Sequence, residues 1–208
     1  MPTALESPKR RRIDWLTPIL ALACAGLIVF ATNTYVFESV FVPSSSMRPS
    51  FIPGDSLILR FAGYRQVHRY DVVVVEGTAF GHRILKRVIG LPGDCVQLQD
   101  SWKVVLNGRP LTYQQLDEDG TVLREEGHTI QLRRNPKFSF DTLYGREPLC
   151  LKQDEYYVLG DNRLASDDSR TIGPVHRANI QGKIDLIWLS YDHDLHKTRW
   201  NRLLTRVP

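Results

Sequence analysis

The chain has 208 residues, enough for one domain of ordinary size and a short appendage. Its apolar fraction of 42% and charged fraction of 24% are close to globular averages, which excludes wholesale disorder and a membrane protein of many spans. The net charge of +4 is concentrated in residues 1–14, which carry four basic and two acidic side chains. The nearly neutral remainder lacks the broad basic surface of a nucleic-acid binder, so we expect no nucleic-acid partner.

An uncharged stretch, WLTPILALACAGLIVFATNTYVF, covers residues 15–37. At ~1.5 Å per residue a helix of this length spans a ~30 Å hydrocarbon core, so we predict a transmembrane anchor. Basic residues precede it and Glu38 follows it, which predicts a cytoplasmic segment at 1–14 and an extracytoplasmic remainder. A cleavable signal peptide is the alternative, but no small-x-small site follows Phe30, and we favour a retained anchor.

Short apolar runs separated by turn residues follow the predicted anchor, at residues 57–59, 72–75, 84–89, 103–106, 156–159 and 184–189. This spacing predicts a mainly β, antiparallel domain over residues 38–194. Within it, Asn107 and Gly108 both tolerate the positive φ of a type I′ turn and indicate a hairpin. Residues 113–148 are polar and show no regular pattern, so we expect an irregular surface excursion there.

The basic tail at residues 195–208 allows two interpretations. Trp200, Leu203, Leu204 and Val207 are spaced i, i+3, i+4 and i+7, as in an amphipathic helix that lies on an anionic membrane. A solvated tail without regular structure fits the sequence equally well.

Cys95 and Cys150 lie far apart in the polar part of the chain. They are able to pair in an oxidising compartment only if the fold brings their Cα atoms within a narrow range of distances. The sequence does not show that distance, and free thiols are the interpretation we favour.

Three polar segments follow the predicted anchor: PSSSMRPS at 43–50, KRVIGLPGD at 86–94 and GDNRLASDDSR at 160–170. Each alone is typical of a turn or of a solvated strand. Together, in this order, they resemble the bacterial type I signal peptidases, also called leader peptidases. That family has a Ser-x-Ser-Met-x-Pro box, a Lys-Arg-x-x-Gly-x-Pro-Gly-Asp box and a Gly-Asp-Asn-Arg-x-x-Ser-x-Asp-Ser-Arg box. The resemblance extends over about residues 41–188, apart from the predicted excursion at 113–148.

The resemblance implies a signal-peptidase-like β-domain and a membrane-anchored serine endopeptidase of the bacterial inner membrane. Such an enzyme removes the signal peptides of exported preproteins and cuts after small residues, at Ala-x-Ala sites. Its expected partners are signal peptides and membrane lipid.

The same resemblance assigns roles to individual residues of this sequence. Ser46 is the nucleophile and Lys86 the general base, while the Ser166 hydroxyl orients the lysine amine. The oxyanion hole is made by the Ser46 backbone N–H and the Ser44 hydroxyl. The pairs expected to be structural are Arg87 with Asp161, and Asp168 with Arg170.

The local sequence around Lys86 supports the role of a base. A lysine removes a proton from a serine hydroxyl only when its own amine is neutral, and burial among apolar groups lowers its pKa. If residues 82–89 form a strand, Lys86 shares one face with Ile84 and Val88, while Arg87 points to the other face. The pattern therefore predicts an apolar environment for the Lys86 amine.

Other site assignments follow from residue type alone. Val42 and Leu85, which flank the predicted dyad, are candidates for small apolar substrate pockets, although core packing uses the same residue types. His82 falls on the Lys86 face as an alternative base, which we do not favour. The six histidines show no H-x-x-x-H or H-E-x-x-H spacing, so we expect neither a metal nor a cofactor.

Two other functions compete with the peptidase hypothesis. A self-cleaving regulator with a Ser/Lys dyad needs an N-terminal DNA-binding domain, for which the residues before the serine box leave no room beside an anchor. A membrane-tethered β-domain that only binds exported polypeptides has no need for Ser46, Lys86 and Ser166 together.

Overall fold

The structure of the chain, a computed structural model, describes residues 15–35, 37–61, 66–76, 81–134 and 147–207. The chain divides into two compact units, Met1–Val36 and Phe37–Pro208. The described part of the first unit is essentially one helix, α1 (Leu16–Tyr35). By length and hydropathy, none of the helices in the described ranges qualifies as a membrane span. The predicted cytoplasmic segment at 1–14 lies outside the described residues.

The second unit consists of short strands and short helical turns. Its helices are α2 (Ser169–Ile172) and two 3-10 turns at Arg177–Asn179 and Trp200–Arg202. In chain order the strands are β1 (Phe37–Phe41), β2 (Asp55–Arg60), β3 (Val72–Val75), β4 (Ile84–Gly90), β5 (Cys95–Gln99), β6 (Lys103–Leu106), β7 (Arg109–Pro110), β8 (Tyr113–Gln115), β9 (Val122–Glu125), β10 (His128–Gln131), β11 (Leu149–Cys150), β12 (Glu155–Leu159), β13 (Val175–His176), β14 (Ile180–Asp192), β15 (Lys197–Thr198) and β16 (Thr205–Arg206). Phe37, which the sequence places in the anchor, begins the first strand instead.

One large sheet carries most of the described β-structure. Its strands are ordered β1-β2-β14-β3-β4-β12-β13, and β15 and β16 also pair with β14. At its centre, β3 is a run of four buried valines, whose β-branched side chains suit a strand that is covered on both faces. All strand pairs in the described ranges are antiparallel, so the prediction of a mainly β, antiparallel fold is confirmed.

The Asn107-Gly108 hairpin also forms as predicted. Asn107 and Gly108 have φ values of 51° and 76°, and they join β6 to β7. Both residues lie in the left-handed region that a type I′ turn requires.

The prediction of an irregular excursion at 113–148 is wrong for residues 113–131. Residues 113–131 contain β8, β9 and β10, which form a three-stranded antiparallel sheet, named here the accessory sheet. The strands escaped notice because alternate inward positions hold polar residues: Leu123 is followed by buried Glu125, and buried His128 precedes Ile130. Residues 135–146 lie outside the described residues.

Cys95 and Cys150 form a disulfide, contrary to the free thiols that the sequence favoured. The two residues are direct partners in the antiparallel pairing of β5 with β11. A contact between residues 55 positions apart in the chain depends on this strand pairing, which residue spacing alone does not reveal.

The tail does not form the amphipathic helix that was one of its two interpretations. Its residues instead make β15, a 3-10 turn and β16, which return along β14. Arg199 and Arg202 hold it in place through ion pairs with Asp192 and Asp55. The helical interpretation of the tail is therefore wrong: two short strands of the tail pair with β14 of the large sheet.

Candidate active site

Ser46 and Lys86 meet although 40 residues separate them in the chain. Ser46 lies in the turns that follow β1, and Lys86 lies within β4. The Lys86 Nζ atom is 3.1 Å from the Ser46 Oγ atom, and it also donates a hydrogen bond to the Leu85 carbonyl at 2.9 Å. Both side chains are buried, with exposed fractions of 9% for Ser46 and 3% for Lys86.

The environment of Lys86 changes its protonation. Ile84 and Val88, its neighbours two positions away on β4, belong to a buried apolar cluster. Burial lowers the pKa of the Lys86 amine from 10.5 to about 8, against the opposing effect of the nearby Asp168 charge. Since each pKa unit is a factor of ten in proton affinity, roughly a tenth of the amine is neutral at pH 7. An ordinary exposed lysine is almost entirely charged at that pH.

Two hydrogen-bond donors stand beside the Ser46 hydroxyl. The Ser44 Oγ atom lies 3.2 Å from the Ser46 Oγ atom. The Ser46 backbone N–H makes no hydrogen bond within the described part of the chain. Both groups are therefore available to an oxygen that approaches the nucleophile and gains negative charge.

Ser166 lies near the nucleophile without a hydrogen bond to Lys86. Its hydroxyl is buried and has no hydrogen-bond partner among the described residues. Gly160 separates it from the Ser46 backbone: a Cβ atom at Gly160 would overlap the Ser166 hydroxyl and come within 2.6 Å of the Ser46 carbonyl. The contact of the Ser166 hydroxyl with the Lys86 amine, which the resemblance implies, is thus not made in this structure. The hydroxyl nevertheless lies on the other side of Gly160 from the Ser46 carbonyl.

Arg87 and Asp161 form a fully buried ion pair, in agreement with the pairing that the resemblance implies. The Arg87 Nε and Nη2 atoms donate to the two carboxylate oxygens of Asp161 at 2.8 and 2.7 Å. Arg87 Nη1 also donates to the Tyr70 carbonyl at 3.0 Å. This bidentate contact joins the lysine strand to the segment at residues 160–170, named here the third box.

Asp168 and Arg170 organise the other end of the third box. The Arg170 Nε and Nη2 atoms each donate to Asp168 at 2.8 Å, and Asp168 accepts the Gly160 N–H at 2.9 Å. Burial alone would raise the pKa of the Asp168 carboxyl, but the Arg170 guanidinium holds it below its ordinary value. Asp168 also caps α2, so one carboxylate fixes the turn that carries Ser166.

Asn162 connects the third box to the nucleophile segment. Its backbone N–H donates to the Ser46 carbonyl at 3.0 Å, and its side-chain Nδ2 donates to the Ser45 carbonyl at 3.2 Å. The position of the Ser46 hydroxyl therefore depends on the third box as well as on β1.

A cleft of about 500 Å³ opens onto the dyad. Its walls are formed by residues 40–47 on one side and residues 82–86 on the other, with Pro53, Val74 and Asp167 completing the lining. Val42 and Leu85, the two predicted pocket residues, both line it. Val42 and Leu85 also pack with one apolar cluster of the core, so each side chain serves both the core and the cleft.

Sequence reasoning missed a third buried ion pair. Arg163 of the third box makes a two-pronged contact with Glu125 of the accessory sheet, with one bond at 2.6 Å and a second, shorter one, and both side chains are fully buried. His128 adds a contact to Glu125 at 3.1 Å. Burial would raise the pKa of Glu125, but Arg163 lowers it to about 2. The available signal was the Glu126-Gly127 turn between two short runs, which indicates a hairpin.

The arrangement combines a serine hydroxyl, a buried amine of lowered pKa and two donors beside the reacting oxygen, which suits acyl transfer. His82 lines the same cleft, but Lys86 holds the position next to Ser46. Across the described ranges, no group of three or more His, Cys, Asp or Glu side chains is placed to hold a metal ion.

Comparison with known proteins identifies the family. The family model described as signal peptidase, peptidase S26, matches residues 12–189. The chain is 29% identical to signal peptidase I P of Bacillus subtilis subsp. natto, over 92% of this chain and 98% of that protein. It is 31% identical to signal peptidase I V of Bacillus subtilis strain 168, over 79% of this chain and 94% of that protein. A crystal structure of a signal peptidase I from Enterococcus faecalis V583 aligns with a TM-score of 0.40 at 27% identity, covering 57% of this chain and 97% of the other. The chain therefore belongs to the signal peptidase family S26, and it is a serine endopeptidase of the signal peptidase I type.

Proposed function

We propose that this enzyme is a membrane-anchored peptidase that removes signal peptides from exported preproteins with a Ser46/Lys86 dyad. One observation carries the proposal: a buried lysine amine lies 3.1 Å from a serine hydroxyl at the base of a cleft. The relatives named signal peptidase I support the substrate class. The distance supports the assignment of nucleophile and base, because proton transfer needs heavy atoms within hydrogen-bond reach.

In the proposed mechanism the neutral Lys86 amine takes the proton of the Ser46 hydroxyl as the serine oxygen attacks the carbonyl carbon of the scissile peptide bond. The resulting oxyanion is stabilised by the Ser46 N–H and the Ser44 hydroxyl, donors typically worth ~3 to 4 kcal/mol each. Lys86 then gives its proton to the leaving amine, and an ester to Ser46 remains. A water molecule, deprotonated by Lys86, hydrolyses the ester and returns both residues to their starting state.

We assign Ser166 to orientation of the amine during this cycle. Its buried hydroxyl has no hydrogen-bond partner among the described residues and lies beside Gly160, next to the Ser46 carbonyl. A buried hydroxyl without a partner is costly, and a contact with the Lys86 amine, direct or through an ordered water molecule, supplies the missing partner during the cycle. Arg87 with Asp161, and Asp168 with Arg170, are assigned to support of the site.

Cleavage after small residues is the proposed specificity. Val42 and Leu85 line the cleft on either side of the dyad, and both also pack in the core. Side chains that are fixed by core packing have little room to move, so the space between them suits small apolar groups. We therefore propose Ala-x-Ala sites, with Val42 and Leu85 in contact with the first and third residues before the cut.

The proposed location is the bacterial inner membrane, with the helix α1 (Leu16–Tyr35) as a single anchor, residues 1–14 in the cytoplasm and the catalytic unit outside. The charge asymmetry around the apolar stretch supports this orientation. The helix α1 carries no charged side chain and its sequence is predominantly apolar, which is typical of a segment in contact with lipid. The Cys95–Cys150 disulfide also supports an extracytoplasmic location, because such bonds persist in oxidising compartments.

The test is cleavage of a purified preprotein with an Ala-x-Ala site by the full-length enzyme in detergent. Ser46→Ala and Lys86→Ala are each expected to abolish cleavage while circular dichroism shows an unchanged fold. Lys152→Ala serves as the matched control, because that lysine is 80% exposed and lies outside the cleft. Cleavage that persists in either active-site variant would remove the dyad from the mechanism.

A further inference from the structure

The two walls of the cleft are both strand edges. β1 pairs only with β2 among the described strands, so its other edge is unpaired. The first three residues of β4 pair with β3 on one side, while pairing with β12 involves only positions 87–90. Edges of this kind accept an extended peptide as an additional strand.

An ion pair joins the β4 wall to the start of β1, the strand that leads into the other wall. Arg83, at the start of the β4 wall, donates from Nη1 to the Glu38 Oε1 atom of β1 at 2.7 Å. A second carboxylate, from Glu76, lies 3.8 Å from Arg83 Nε. Arg83 lines the cleft, and both side chains of the Glu38–Arg83 pair are 39% exposed. Glu38 lies two residues before the lining segment at 40–47, so the pair joins β1 to the β4 wall at the end of the cleft and is partly exposed.

The position of the pair along β4 sets a length. Arg83 lies three residues before Lys86, and at ~3.3 Å per residue the two positions are separated by ~10 Å. A peptide that lies extended along the same wall has the same rise per residue. About three of its residues therefore fit between the dyad and the Glu38–Arg83 pair.

We propose that the Glu38–Arg83 ion pair determines how substrates enter the cleft, by closing it beyond the third residue before the cut. This inference rests on the proposed function, in which the contacts with Val42 and Leu85 direct the signal-peptide side of the substrate along this wall. A substrate with more than three residues before the cut must displace the pair. The displacement costs little, because an exposed ion pair contributes only about a two- to five-fold factor to an equilibrium.

The experiment compares two synthetic peptides that share one Ala-x-Ala site and differ in having three or seven residues before the cut. Full-length enzyme in detergent is assayed as wild type, Glu38→Gln and Arg83→Gln. With the long peptide, each substitution is expected to lower KM about two- to five-fold at unchanged kcat. High salt is expected to lower KM of the wild type in the same way and to have no such effect on Glu38→Gln. The short peptide, also titrated as a competitive inhibitor of preprotein cleavage, is expected to bind all forms equally.

Arg60→Gln is the matched control, because Arg60 forms an ion pair with Asp185 that has similar exposure and lies outside the cleft. This substitution is expected to leave KM unchanged for both peptides. The role of the Glu38–Arg83 pair would be overturned if Glu38→Gln and Arg83→Gln changed KM equally for the short and long peptides, or changed it for neither. A higher KM for the long peptide in these variants would also overturn it. A wild-type enzyme that cuts neither peptide nor preprotein would instead reject the proposed function itself.

Discussion

Replacing Lys86 with methionine is expected to stabilise the fold while it removes activity. Burial lowers the pKa of Lys86 from 10.5 to about 8, so the folded state binds this proton more weakly than the unfolded state does. At ~1.4 kcal/mol per pKa unit, burying the charged amine costs about 3 kcal/mol at pH 7. The cost is complete well below pH 8 and disappears as the pH rises toward 10.5, so at pH 9.5 it is about half as large.

The assay is urea unfolding of the full-length protein in detergent, followed by tryptophan fluorescence at pH 7 and pH 9.5. Lys86→Met should raise the free energy of unfolding by about 3 kcal/mol at pH 7, and by about half of that at pH 9.5. Lys152→Met, at an exposed position, loses only an ion pair with Glu155 and should change the free energy of unfolding by less than about 1 kcal/mol at either pH. A Lys86→Met variant that is destabilised, or whose free energy of unfolding rises by the same amount at both pH values, would refute the claim that burial disfavours the charged form of this amine.

Three further predictions concern the support of the site. Removing the disulfide with the double substitution Cys95→Ser and Cys150→Ser should lower the free energy of unfolding by about 4 kcal/mol, the entropic estimate for a loop of this length, and the wild type with reductant should match it. Glu125→Ala should cost about 3 to 5 kcal/mol in the same urea assay, because a buried guanidinium loses its partner, whereas a loss below 1 kcal/mol would contradict the buried pair. Gly160→Ala should reduce kcat about a hundred-fold, measured on a preprotein, because the added methyl group displaces the Ser166 side chain and the Ser46 carbonyl; unchanged kcat would contradict the close packing seen there.

Local periodicity and the resemblance to the signal peptidases each predict a part of the site. Strand alternation placed Ile84, Lys86 and Val88 on one face, and the structure buries all three. The resemblance to the signal peptidases paired Arg87 with Asp161, and the two form a buried bidentate contact. The placement of Lys86 beside Ile84 and Val88 is accessible because side-chain direction in a strand follows a period of two, whereas the Arg87–Asp161 pair was implied by the resemblance alone.

The parts that escaped prediction depend on contacts between distant strands. Cys95 and Cys150 come together because β5 pairs with β11, which no local pattern specifies. Glu125 and His128 occupy inward positions that apolar residues usually fill, so the accessory sheet looked irregular. Polar residues at such positions are stabilised by a partner from another part of the chain, here Arg163, and a single sequence does not identify that partner.

The central claim is that Lys86 acts on Ser46 as a neutral amine, and the pH dependence of kcat/KM tests it most directly. Because the amine must lose its proton first, kcat/KM for a peptide with an Ala-x-Ala site should rise about ten-fold per pH unit below the pKa and level off above it. The expected midpoint is near the pKa of about 8 given by burial of Lys86. A profile that is flat from pH 6 to pH 9, or that has its midpoint near pH 6.5 as expected for histidine, would contradict the account.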